Sequence, residues 1–270
     1  MSYIEPNEFV KKMVDAGEQK IFMSSKDTFI RAFMAGAILG LAAVFAITVA
    51  VKTDSPLLGA MLFPVGFIML YLMKFDLLTG VFTLVPLALL DRRPGVTPRE
   101  VLRNWGIVFC GNFAGALMTA FMMSFILTYG YSVDGGAIAA KVSTIGESRT
   151  LGYQQHGTGG WLTIFIRGML CNWMVSMGVV GAMISTSATG KMAAMWMPVM
   201  LFFFMGFEHS IVNMFLFPFS MIMGGEFTVY DYLIWNEIPT VIGNLVGGLV
   251  FVALPLYFTH VRTGPVRKLL

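Results

Sequence analysis

Charge is scarce in this chain. Asp, Glu, Lys and Arg supply 12% of its 270 residues, where a soluble domain carries about a quarter, so an ordinary solvated globule is excluded. The net charge of +3 is spread over the polar segments and points to no nucleic-acid partner. Histidine occurs only at 156, 209 and 260, too scattered for a metal cluster. Cys110 and Cys171 both lie inside apolar runs and form no disulfide framework. There is no Gly-x-Ser-x-Gly elbow and no His-Glu-x-x-His pair, so the chain reads as no enzyme, with no cofactor and no metal. The N-terminus mixes Glu5, Glu8 and Asp15 with lysines, unlike a signal peptide.

What the chain has is apolar length. Hydrophobic residues make up 57% and the mean hydropathy is +0.76. The apolar runs do not alternate as barrel strands do, so the expected fold is an all-α membrane protein of one domain. Six spans are expected at 28–51, 57–90, 104–129, 161–187, 193–223 and 238–261, giving a membrane domain over 28–261. Residues 1–27 precede it. There Ile4, Phe9, Val10, Met13 and Val14 share one side of a helix, lying on the membrane surface or packed under the bundle. Lys and Arg gather before the first span, in the second-to-third loop and in the tail 262–270 with Arg267 and Lys268. Both termini are therefore expected in the cytoplasm, in a cell inner (plasma) membrane. Residues 131–160, rich in Gly, Ser and Thr, read as one long outer loop.

The second and fifth runs exceed 30 residues, too long for straight spans, and each has a polar centre: Asp76-Leu77-Leu78-Thr79-Gly80 and Gly206-Phe207-Glu208-His209-Ser210. Ionisable residues at bilayer depth face the protein interior and mark function by default, and broken helices with such centres mark transporter binding sites. Glu208 and Asp76 either hold neighbouring helices together or touch substrate. Lys74, two residues before Asp76, either pairs with an acid or adds positive potential near the pathway. An internal repeat supports the breaks. Phe29-Ile30-Arg31-Ala32 returns as Phe165-Ile166-Arg167-Gly168, a shift of 136, while Asp76, Asn104 and Gly111-Asn112-Phe113-Ala114-Gly115 return 132 positions later as Glu208, Asn236 and Gly243-Asn244-Leu245-Val246-Gly247. Three spans per half make the repeat inverted, so the second and fifth spans meet near the midplane. Gly-x-x-x-Gly in the third and sixth spans allows close helix approach.

These residues resemble the formate/nitrite transporter family. The resemblance is carried by Asp76–Gly80, Gly111-Asn112-x-x-Gly115, Arg167–Val175, Gly206–Met214 and Ile242–Gly248, and covers about Pro6 to Leu256. It implies a homopentamer of aquaporin-like protomers passing small monovalent anions such as formate, nitrite and hydrosulfide, often with a proton. It implies His209 as the central pore histidine, with Thr79 hydrogen-bonded to it. Asn172 is implied as pore-lining, with Glu208 and Asn213 in the same pathway. Phe63 and Phe202 are implied as the outer constriction, and Phe67, Leu77, Leu78 and Val175 as the inner one. Leu78 stands where the family commonly has Phe. Where many members carry an outer lysine this chain has His156, with Lys141 as a displaced match.

An apolar constriction resists a bare anion, because burying an unpaired charge costs several kcal/mol. Half-helix N-termini and a proton delivered through His209 are the two available remedies. The expected activity is therefore a channel for formate or nitrite, with transient protonation at His209. Hydrosulfide, or a neutral solute such as water or ammonia, is the alternative, although the Asn-Pro-Ala pair of aquaporin-type channels does not occur here.

Overall fold

The structure, a computed structural model, describes residues 3–263. Arg267 and Lys268 of the expected tail lie outside the described residues. Within them the fold is helical, with one isolated bridge between Tyr3 and Ser185. The amphipathic N-terminal segment forms α1 (Pro6–Phe22), started by a proline at a position where its missing N–H costs nothing. Its buried face is Phe9, Val10, Met13, Val14, Gly17 and Ile21.

Four helices are long and apolar enough to cross a membrane: α2 (Ser25–Thr53), α6 (Pro98–Leu127), α9 (Gly157–Ile184) and α12 (Val229–Arg262). Ser24 caps α2 by accepting the Asp27 N–H at 3.0 Å. A reciprocal Thr228–Asp231 capping box starts α12 nine residues before the expected span. Of the three π-helical turns in α12, Leu233–Glu237 and Leu249–Ala253 lie just before Pro239 and Pro255, and the third, Phe258–Arg262, ends the helix. A proline removes one N–H and crowds the preceding turn, and widening that turn relieves the crowding.

Between these run shorter apolar helices: α3 (Pro56–Leu62), α4 (Pro64–Leu72) and α5 (Leu78–Leu90), then α10 (Ala188–Phe204) and α11 (Ser210–Ile222). Helix stops at Met73–Leu77 and again at Met205–His209, around the polar centres of the two longest apolar runs. Each stop contains a left-handed residue, Lys74 at φ 57° and Gly206 at φ 65°. Glycine adopts that backbone freely. A residue with a Cβ does so at about 1–2 kcal/mol.

Residues 131–160 differ from the expected loop, since most of them are helical: α7 (Gly136–Ser148) and α8 (Leu151–Gln154). The buried residues of α7 are Ala139, Val142 and Gly146, a helical stripe whose small side chains make the segment look loop-like in composition. α7 packs on α11, and α1 packs on α5.

The tightest pairings are α2 with α6 and α9 with α12. Both depend on missing side chains. A Cβ on Gly115 would collide with the carbonyl of Phe33, and one on Gly247 with the carbonyl of Met169. One buried asparagine reinforces each pair. Asn112 donates to the carbonyls of Ala32 (2.7 Å) and Asp76 (2.9 Å) and accepts the Leu78 N–H at 2.9 Å. Asn244 donates to Gly168 (2.8 Å) and Glu208 (2.9 Å) and accepts the Ser210 N–H at 3.0 Å. The same bonds thus recur in the second half, at the repeat spacing read from the sequence.

Candidate functional site

With the N-termini of α5 and α11 anchored in this way, Thr79 and His209 come together. Thr79 Oγ1 lies 3.4 Å from His209 Nε2, and both residues are buried. His209 is the N-cap of α11, and its Nδ1 accepts the Val212 N–H at 3.4 Å. With Nδ1 used as an acceptor, the neutral ring carries its proton on Nε2 and directs it at Thr79. The other face of the ring environment is aromatic. Phe202 stacks beside His209 with centroids 5.5 Å apart, and Phe63 meets Phe202 edge-on at 5.7 Å. Phe63 in turn stacks on Phe203 at 3.9 Å, an aromatic neighbour that the sequence reading did not name.

Asn172 lies beside this pair with its hydrogen bonds already made. Its Nδ2 donates to the carbonyls of Thr79 (3.2 Å) and Asn244 (2.6 Å), and its Oδ1 accepts from Ser176 (3.2 Å). Ser176 continues to Thr83 at 2.6 Å. Neither Ser176 nor Thr83 was identified from the sequence. The available signal was spacing, because each lies one helical turn beyond a residue that was identified.

Glu208 turns away from the histidine into a separate polar cluster. Its carboxylate accepts from Asn213 (3.0 Å), Asn236 (3.3 Å) and the Tyr153 hydroxyl (3.1 Å), with Arg149 at 3.6 Å. Arg167 donates to the Tyr153 oxygen at 2.6 Å. Asn213 also donates to Asn236 at 2.6 Å, so both of its N–H groups serve this cluster. The sequence reading placed Glu208 and Asn213 on the pathway; in the structure they are bonded to each other and to α7–α8 and α12. Asp76 has the corresponding place at the other break. It pairs with Lys20 of α1, whose carbonyl accepts from Asn104 at 3.1 Å. The carbonyl of Arg149 accepts from Asn236 at 3.0 Å in the same way.

Two cavities lie beside the two breaks, and neither is lined by His209, Phe202 or Phe63. One of about 280 Å³ lies between α1 and the α4–α5 break, with Phe67 and Leu77 in its wall and Lys20, Arg31, Lys74 and Lys191 around it. Lys74 makes no ion pair with any other described residue. The other cavity, about 250 Å³, is lined by Lys141 and Arg149 together with Phe203 and Val212. His156 is exposed at the start of α9 and does not line it. Leu78 and Val175 are fully buried and reach neither cavity. Among the described residues no group of His, Cys, Asp and Glu could hold a metal ion.

Comparison with known proteins finds relatives along nearly the whole chain. Residues 7–258 match the family described as "Formate/nitrite transporter". The chain is 30% identical over 276 residues to "Uncharacterized transporter YrhG" of Bacillus subtilis, covering 99% of this chain and 98% of that one. It is 28% identical to "Formate channel BtFdhC" of Bacillus thuringiensis, covering 95% and 96%, and 28% identical to "Formate channel FocA" of Escherichia coli, covering 95% and 94%. Among solved structures, an "FNT family ion channel" superposes with a TM-score of 0.82 at 21% identity over 96% of this chain and 99% of that one. A "Pentameric formate channel with formate bound" superposes with a TM-score of 0.71 at 26% identity over 87% and 96%.

Proposed function

This chain belongs to the formate/nitrite transporter family, a family of transporters rather than enzymes, and from that premise we propose that it is a channel for small monovalent anions, formate first and nitrite next. The observation that carries the reading is the contact between Thr79 and His209, which joins the two breaks beside an aromatic constriction.

In this reading α3–α5 and α10–α11 are the second and fifth of six spans, arranged in two inverted three-helix repeats. The recurrence of the Asn112 bonds at Asn244 supports the pseudo-twofold relation. The pentamer seen in the formate-bound neighbour is carried over as a homopentamer in a bilayer. Both termini face the cytoplasm across the plasma membrane, with 1–27 as a cytoplasmic segment, 28–261 as the channel domain and 262–270 as a tail.

The anion enters a cavity lined by cations and reaches the Phe63–Phe202 or Phe67–Leu77 constriction, where an unpaired charge is costly to bury. Partial positive charge from the N-termini of α5 and α11 lowers that cost. A proton passed from water through His209 and Thr79 removes the charge, and the neutral acid crosses. Protonating His209 on both nitrogens requires Nδ1 to release the Val212 N–H, so proton uptake loosens the first turn of α11. Asn172, with its own groups occupied, holds the Thr79 backbone in place.

Stopped-flow uptake into proteoliposomes tests the reading, comparing formate, nitrite and hydrosulfide across pH for wild type and His209→Asn. Formate uptake should rise with an inward proton gradient and lose that dependence in the variant. Rapid, pH-insensitive passage of water or ammonia by both proteins would overturn it in favour of a neutral-solute channel with a structural histidine.

A further inference from the structure

The two mouths are built from equivalent positions, yet they differ in charge. At the 250 Å³ cavity Arg149 faces Glu208, which leaves Lys141 as the one lining cation without an ion pair among the described residues. At the 280 Å³ cavity Lys20 pairs with Asp76. Arg31, Lys74 and Lys191 then remain, from three different elements, with no ion pair or side-chain hydrogen bond to any other described residue. Lys74 is the clearest departure. Its counterpart 132 positions later is Gly206, with the same left-handed backbone. The second half has the residue suited to that conformation, and the first half has a lysine held in strain at the rim of a cavity.

Conduction requires an ion to bind weakly enough to leave. Three unpaired cations around one cavity exceed what a passing monovalent anion needs, and the cavity is nearly the size of a small-molecule site, about 300 Å³ and above. We propose that Lys74, Arg31 and Lys191, with Lys20, form a binding site for a phosphate-class anion: a free phosphate dianion or phosphomonoester, or the phosphate of a lipid headgroup. The occupant closes the channel from the α1 side. It cannot follow formate inward, because Phe67 and Leu77 wall the cavity and a double charge has no partner there. The blockade rests on the transport reading; the binding does not.

Calorimetric titration of inorganic phosphate into the purified protein in neutral detergent tests the site, with chloride at equal ionic strength as control. The proteins compared are wild type, Lys74→Gly, which suits the left-handed backbone at that position, and Lys191→Gln. Wild type should bind phosphate over chloride, and each variant should bind at least tenfold more weakly. No binding by wild type, or equal affinity in all three, overturns the site. Formate efflux from neutral phosphatidylcholine vesicles is then measured with phosphate on one side at a time, each protein normalised to its own phosphate-free rate. Inhibition from the α1 side alone, reduced in both variants, supports the blockade, and an unchanged ratio at saturating phosphate overturns it. Lysine-dependent inhibition by phosphatidylglycerol without added phosphate assigns the occupant to a lipid headgroup. Variant-sensitive phosphate binding by a protein that moves no formate keeps the site and overturns the transport reading instead.

Discussion

Asn112 and Asn244 each tie a break and the helix start after it to a neighbouring long helix, and this makes them the residues on which the centre depends. Asn244→Ala leaves the Ser210 N–H and the carbonyls of Gly168 and Glu208 without their partner. A buried polar group left unpaired costs about 1–3 kcal/mol, so Asn244→Ala and Asn112→Ala should each lower stability by at least that much, measured by chemical unfolding in detergent. Formate flux should fall further than the folded fraction, because the Thr79–His209 contact is set by these anchors. Phe202→Ala acts differently. It removes the ring between His209 and Phe63 and should increase passage of monovalent anions larger than formate, such as acetate, read as a change in relative uptake. The polar centres and His209 were legible in the sequence because charged and polar residues stand out in an apolar run. The partners of Glu208 were not. Tyr153 lies 55 positions from it and Lys20 lies 56 from Asp76, and no local pattern encodes such pairings.

At the scale of elements, close approach decides the architecture. α6 and α12 lie against α2 and α9 because Gly115 and Gly247 present no side chain to a neighbouring carbonyl. Gly247→Ala should destabilise by about 1–3 kcal/mol, the usual range for overpacking, checked by thermal unfolding in detergent. The apolar runs revealed the four long helices, since length and composition suffice for those. They did not reveal α7. Its buried stripe of Ala139, Val142 and Gly146 contributes little hydropathy, and its flanking glycines and serines resemble a loop. The start of α12 was not legible either, because Asn236 and Glu237 interrupt the stretch between the Thr228–Asp231 capping box and the apolar run expected to span the membrane.

At the scale of the whole molecule the repeat extends beyond the membrane-capable helices. Lys20 and Arg149 lie 129 positions apart, each accepts a hydrogen bond from a repeat-related asparagine through its carbonyl, and each pairs with the acid of its own break. By this measure α1 and α7 are counterparts, one against each short helix. Large apolar side chains such as Phe45, Phe121 and Phe125 are exposed on the single chain, as the proposed assembly in lipid requires. Native mass spectrometry from detergent should give five copies, and a monomer at all concentrations would refute the proposed assembly. The shortness of α5 and α11 has a last consequence. At 13 residues each is about 20 Å long, against about 30 Å of hydrocarbon. Alone in a bilayer, either one would expose unpaired backbone ends to lipid. During synthesis neither can be retained in the membrane on its own merits, so each must wait for a long helix to shelter it. Biogenesis of this protein is therefore ordered: α11 enters a berth that α2 and α6 have already made, whereas α5 lies against α6, α9 and α12 and settles only after the last of these has arrived.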